Sequence, residues 1–197
     1  MRLGPRSGSE SRKRREEHVR LFVRDNLRAG LLNDAALTEE VERAFRDELP
    51  WLPVETGQEW LAEEQDSWLA DAASWPETTD HDRLQAAFAD LETAGVVVLQ
   101  GCLDHWAARE VLRTRTPERG VAWFLPQDVW HAVDAGMLEV NVWHVSGANV
   151  AAGDDLLDLV VASFARHGLA AHFDEGRVEV AAHWQRRPGS FGAMINR

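Results

Sequence analysis

Apolar residues recur at helical spacing through the first 73 residues of the chain. The period predicts three helices, over 12–29, from 38 to about 49, and over 57–73. Ser74, Trp75 and Pro76 then interrupt the pattern, and a proline disfavours helical backbone in the residue before it. We therefore take 1–74 as a helical N-terminal region and place a domain boundary at its end.

Helical periods alternate with short β-branched runs in the rest of the chain. The pattern predicts a capped helix from Thr79 or Asp80 to about 95, and two more helices over 128–135 and 153–166. Strands are predicted at 96–100, 121–125, 137–145, 170–173 and 177–184, while 104–114 fits either a helix or an irregular segment. The expected class is α+β, a helical N-terminal extension followed by a small mixed sheet packed against helices. We expect an α+β domain over 75–187 and a mobile tail over 188–197.

Charge is distributed unevenly along the 197 residues. The net charge is −12, but residues 1–20 hold seven basic and three acidic groups, which leaves the remainder at −16. Such a body repels nucleic acid and anionic membranes, so we expect neither as a partner. The acidity favours a basic protein partner, although the same charge also serves simply to keep a protein in solution.

The N-terminus and the cysteine content bear on the compartment. The first 20 residues are basic but lack the apolar core of a signal peptide, and Cys102 is the only cysteine. A single cysteine forms no internal disulfide, which agrees with a reducing compartment. We expect a cytoplasmic protein.

Known catalytic signatures are absent from the sequence. Neither GxGxxG nor GxxxxGK[ST] occurs, and there is no GxSxG or HExxH. These absences disfavour the commonest nucleotide-binding, hydrolase and zinc-protease classes without excluding an unfamiliar site. We expect no cofactor, and whether the protein is an enzyme stays open.

Three stretches together resemble a known family. They are WPETTDHDRLQAAFADLETAG at 75–95, Gln127 and Asp128 within FLPQDVWHAV, and HWQRR at 183–187. They are similar to the TDxDRLxxAFxxLExxGI stretch, the glutamine and aspartate after a strand, and the DWRRR-like ending of an uncharacterised, chiefly actinobacterial family of domains of unknown function. The resemblance covers about 75–187. It implies that this region shares the fold of the family, and it implies no activity.

The chain departs from this family at its cysteines. The resemblance implies a CCxxCG cluster after the first strand and a cysteine within TDCDRL; here only Cys102 remains, and Leu103, Trp106 and His81 stand at the other positions. His81, Cys102 and His105 are too few for a closed zinc site, which needs four ligands, even with Asp104 as a weak fourth. We expect no metal, and interpret Cys102 as a small buried residue.

Two further groups of residues are candidates for function. Gln127, Asp128 and His131 could form a polar catalytic cluster at a strand end, although an N-cap role explains Gln127 and Asp128 equally well. Nine tryptophans are present, and we expect Trp130 and Trp143 to be exposed and to bind a partner. The favoured function is an acidic protein-binding or regulatory module, comparable to an immunity protein. The alternative is a small enzyme or metal-binding protein.

Overall fold

The structure, a computed structural model, describes residues 6–189. Of these, 6–74 and 187–189 form one compact unit and 75–186 form another. Helices precede a mixed sheet that packs against further helices, which confirms the predicted α+β class. The predicted mobile tail lies outside the described residues from position 190 onward. None of the helices within 6–189 is long and apolar enough to cross a membrane.

The first unit consists mainly of three helices. They are α1 (Arg6–Ala29), α2 (Asp34–Glu48) and α3 (Glu55–Ala72). Helix α2 begins four residues before the predicted start because the side chain of Asn33 accepts a hydrogen bond from the Ala36 N–H and caps it. The core of this unit consists of Val19, Val23, Leu37, Val41, Phe45, Leu49 and Trp60.

The second unit contains four helices and five strands. The helices are α4 (Asp80–Thr93), α5 (His105–Arg115), α6 (Pro126–Ala135) and α7 (Asp155–Arg166). The strands are β1 (Val96–Leu99), β2 (Gly120–Trp123), β3 (Met137–His144), β4 (Ala170–Asp174) and β5 (Arg177–Ala181). The segment that the sequence left open is a helix, α5, because the carboxylate of Asp104 accepts a hydrogen bond from Ala107 N–H at 2.8 Å.

The strands form one sheet in the order β1-β2-β3-β5-β4. Strands β1 and β2 are parallel, and the other neighbouring pairs are antiparallel. Strands β4 and β5 form the predicted hairpin, and its turn has positive φ at Glu175 and Gly176. The outer edges of the sheet are therefore formed by β1 and β4.

Side-chain alternation separates the two faces of the sheet. One face carries the buried Leu138, Val140 and Val142, as the sequence predicts, and lies on the side of α4 and α7. The other face, near β1 and β2, packs against α5 through a cluster of Cys102, Ala108, Val121, Trp123 and Trp143. Helices α4 and α5 thus lie on opposite faces of the sheet beside the same edge strand.

Candidate functional site

A cavity of about 480 Å³ follows the free edge of β1. Helix α4 forms one wall, α5 forms the other, and the edge strand lies between them. We call it the β1 groove, and its lining residues are Gln85, Phe88, Ala89, Glu92, Val98, Leu99, Gln100, Gly101, Cys102, Leu103, Ala107, Val111 and Arg115. Its volume falls in the range of about 300–1,000 Å³ that is usual for ligand sites.

The topology sets which residues meet at each end of the β1 groove. Gly95, with φ of 85°, reverses the chain after α4, so α4 runs back along β1 and Glu92 lies near the start of the strand. Helix α5 leads into the parallel strand β2, which places Arg115 near that same end. The middle of the groove is apolar, with Phe88 and Val111 on its two walls.

Backbone groups of β1 point into the β1 groove. The Leu99 carbonyl accepts a hydrogen bond from Phe124 N–H at 3.3 Å, so Leu99 and, two residues earlier, Val97 face β2. Because alternate residues of a parallel strand direct their N–H and C=O to opposite sides, those of Val96 and Val98 point away from the sheet. Among the described residues no strand pairs with this side of β1.

A pair of glutamines closes the far end of the β1 groove. Gln85 Nε2 donates to Gln100 Oε1 at 3.0 Å, and Gln100 Nε2 donates to Gln85 Oε1 at 2.9 Å. Gln85 Nε2 also lies 3.4 Å from Nε2 of His81. Burial lowers the pKa of His81 to about 4, so the ring is neutral near pH 7 and one of its nitrogens accepts. A buried histidine thereby orients an amide pair that faces the cavity.

Cys102 lies at the groove but is not an activated thiol. It is 8% exposed, and its Sγ donates to the carbonyl of Asp104 at 3.2 Å. Burial is the main cause that raises the pKa of the Cys102 thiol. The sulfur is therefore protonated near neutral pH, as expected for the small buried residue that the sequence predicts.

Two large apolar side chains are strongly exposed near the start of α5. Leu103 is 85% exposed and Trp106 is 64% exposed, the two highest values among large apolar residues within 6–189. Trp106 precedes the buried Ala108 by two residues, which is about 200° around the helix. The Arg109 guanidinium carbon lies 5.5 Å from the centroid of the Trp106 ring. We call Leu103 and Trp106 the apolar pair. They stand where the resemblance implied cysteines.

The metal candidates are not gathered into a ligand set. His81 is buried on α4 and packs edge-on against Trp184, with ring centroids 4.8 Å apart. His105 is exposed at the start of α5 and stacks on Trp106, with centroids 4.6 Å apart. Within residues 6–189 no three His, Cys, Asp or Glu side chains are grouped as metal ligands. The structure therefore offers no metal site built on His81, Cys102 and His105.

The catalytic candidates lie on the first turns of α6. Asp128 Oδ2 accepts the Leu125 N–H at 2.7 Å, which is the capping role that the sequence left as the alternative. Burial is the main cause that raises the pKa of Asp128, and the neighbouring His131 opposes the rise. Gln127 and His131 are exposed. Asp128 and His131 are thus close enough to interact electrostatically, and their catalytic role stays a prediction.

The two tryptophans expected at the surface differ in exposure. Trp143 is 7% exposed and packs against Trp123, with ring centroids 4.9 Å apart, so the expectation that it is exposed is wrong. It lies on the sheet face that α5 covers, which strand alternation alone does not reveal. Trp130 is half-buried on α6. Trp106 was not predicted as a binding residue, although assigning α5 from its Asp104 cap places Trp106 opposite the buried Ala108.

Two of the three family-like stretches, 75–95 and 183–187, meet at the start of α4. Thr79 and Asp82 form a capping box, and Asp80 Oδ2 accepts the His183 N–H at 3.2 Å. His81 packs on Trp184, and the nearby Arg186 is also buried. Residues of these two stretches therefore attach the last segment of the unit to α4, which is a structural role.

Comparison with known proteins places the chain in a family. No curated protein and no solved structure matches it. A family model described as a domain of unknown function, DUF6891, matches residues 12–188, which cover the whole second unit and most of the first and extend the likeness beyond 75–187. The chain belongs to the DUF6891 family of domains of unknown function.

Proposed function

We propose that this domain is a protein-binding module whose contact surface is the apolar pair together with the adjoining β1 groove. The proposal rests on the exposure of Leu103, which lines the cavity, and of Trp106, which lies three residues further along the chain. Tryptophan is the residue type most enriched among side chains that dominate binding energy. The pair therefore replaces Trp143 as the expected anchor.

The surroundings of the apolar pair fit the anatomy of an interface. Asp104, Arg109 and Glu110 provide a mixed polar rim around two apolar side chains. Burying a tryptophan of about 150–250 Å² at about 25 cal/mol per Å² contributes several kcal/mol before the entropic costs of association. Leu103 adds a second, smaller apolar anchor.

The charge of the domain favours a basic partner and a regulatory role. Residues 75–186 contain 17 acidic and eight basic side chains, a net charge of −9. Such a field accelerates the approach of a cationic protein, whereas the apolar pair supplies selectivity. Binding a basic partner and blocking its surface in this way is how an immunity-like or other regulatory module would act.

The test compares the full chain with a Leu103→Ala/Trp106→Ala variant as bait in extracts of the native host. Partners are quantified by mass spectrometry after cross-linking. A Leu21→Ala/Leu69→Ala variant is the matched control, because these side chains are also exposed but lie on other helices. We expect the first variant to lose partners that the control retains. A partner set equal in all three baits would contradict the proposal.

Salt dependence tests the electrostatic part separately. The Debye length falls from about 10 Å at 0.1 M to about 3 Å at 1 M salt, so association with a basic partner should slow as salt is added. Replacing the apolar pair should chiefly raise the dissociation rate. Binding whose association rate is insensitive to salt would remove the argument for a basic partner.

A further inference from the structure

We propose that the partner presents an extended segment, which binds in the β1 groove as a sixth strand paired with the free edge of β1. This inference rests on the proposed protein-binding function and adds the form in which the partner is recognised. The inference rests on the outward backbone groups of β1 and on the groove walls formed by α4 and α5.

Strand β1 has backbone groups on its outer side that are not paired with another strand. The N–H and C=O of Val98 point into the groove, and no hydrogen bond to either is described within residues 6–189. Unpaired backbone groups at a sheet edge bind another extended chain readily, since that chain supplies matching donors and acceptors. An α-helix satisfies its own backbone groups, and therefore would leave those of β1 unpaired.

Strand β1 also lacks the features that usually keep an edge strand from pairing with another chain. Its sequence, Val-Val-Val-Leu, has no charged residue and no proline. The opposite edge strand β4 differs, because it carries the exposed His172 and Asp174. An exposed edge strand of this composition pairs readily with another chain, and the cavity beside β1 has room for an added strand.

The helices that flank β1 favour a single extended segment over a second copy of the chain as the occupant of the groove. Strand β1 of a second copy carries its own α4 and α5 on both faces. Pairing of two β1 edges at a strand spacing of about 4.8 Å would therefore require these two helices to fit against the walls of the first copy. A single extended chain has no such flanking layers and fits between the walls.

The lining of the groove defines the chemistry of the segment. The middle of the groove is bordered by Phe88, Ala89 and Val111, which favour small or apolar side chains at the centre of the segment. At the far end, Gln100 has a second amide N–H beyond the one it donates to Gln85, which suits a polar group. Since β1 is four residues long and spans about 13 Å, roughly four residues of the segment pair with it.

A matched pair of substitutions tests strand addition. Val98→Pro removes the outward N–H without removing a hydrogen bond to β2, and proline is tolerated in edge strands. Val98→Ala shortens the same side chain and keeps the N–H. Any difference in binding between the two variants therefore reports the backbone donor, provided that circular dichroism and thermal melts show both to be folded.

The probe is a phage-displayed library of random dodecapeptides selected on the wild-type chain, followed by synthesis of the selected peptides. We expect Val98→Pro to weaken binding about tenfold or more relative to Val98→Ala, because a donor is lost and a peptide carbonyl stays unpaired. N-methylation along the peptide should weaken binding at every second residue, the period of a paired strand. This period tests the proposal even if Val98→Pro fails to fold.

The outcomes separate this inference from the proposed function. Peptides that lose binding on replacement of the apolar pair, but bind both Val98 variants equally and show no two-residue period, would overturn strand addition and leave protein binding intact. Selection of no peptide by the wild-type chain would overturn the inference. A wild-type dimer in sedimentation that Val98→Pro converts to a monomer would overturn it in favour of self-association.

Discussion

Replacing His81 with phenylalanine should remove much of the pH dependence of folding stability between pH 6.5 and 4. His81 is buried, and its ring packs edge-on against Trp184. Burial is the largest cause that lowers its pKa to about 4; the carboxylate of Asp82 opposes this shift and the positive charge of Arg186 adds to it. Phenylalanine keeps an aromatic ring at this position but has no proton to gain.

The size of the effect follows from the difference in pKa. The unfolded chain protonates His81 near pH 6.5 and the folded chain only near pH 4. Between these values the unfolded state binds more protons, so stability that is fully present above pH 6.5 is lost as the pH falls through 4. The two pKa values of His81 differ by about 2.5, and at 1.36 kcal/mol for each pH unit this difference corresponds to at most about 3–4 kcal/mol of folding stability.

Urea unfolding followed by tryptophan fluorescence at several pH values from 7 to 4 measures this difference. The carboxylates of Asp90 and Asp154, whose pKa values are lowered by hydrogen bonds from His167 and His144, titrate alike in both proteins and cancel.

An NMR titration of the His81 ring provides an independent measure of its pKa. Parallel stability profiles for the wild type and His81→Phe, or a His81 pKa near 6.5, would refute the reasoning that this ring is desolvated and neutral.

Four further predictions concern stability, domain structure and metal content. Thr79→Ala should cost about 1–2 kcal/mol in urea unfolding, because it removes the capping box of α4, whereas serine at this position should retain most of it. Gly120→Ala should abolish cooperative melting of the second unit, since an added Cβ would lie 2.1 Å from the carbonyl oxygen of Trp143. The fragment 75–187 should melt cooperatively by itself, and aggregation of a soluble preparation would contradict this. Elemental analysis should find well under one zinc per chain, and one tightly held equivalent lost on replacing Cys102 would overturn this expectation.

Local patterns explain which parts of the fold could be predicted from the sequence. The helices and strands follow from apolar periods and capping residues within a few positions of one another, as in the capping box at Thr79. The alternation in β3 identified Leu138, Val140 and Val142 as buried because that face is covered along its length. The start of α2 was missed because Asn33, an equally local signal, was not used as its cap.

Pairing between distant segments explains what the sequence did not reveal about the candidate site. Nothing within β1 states that it is an edge strand, since its apolar run equally suits a central one. Trp143 looks exposed by alternation, but α5 packs over that part of the sheet. The glutamine pair at the groove joins residues 15 positions apart, on α4 and just beyond β1.

The sequence by itself determined most of the secondary structure, the α+β class and the acidity of this DUF6891 member, because these depend on neighbouring residues or on composition. Only the tertiary structure decided that β1 lies at an edge between α4 and α5, and that the side chains of Leu103 and Trp106 are exposed. Exposure of a side chain or a backbone group depends on which distant segments cover it. Which side chains and backbone groups are exposed on this unit was therefore decided by the packing of the whole unit.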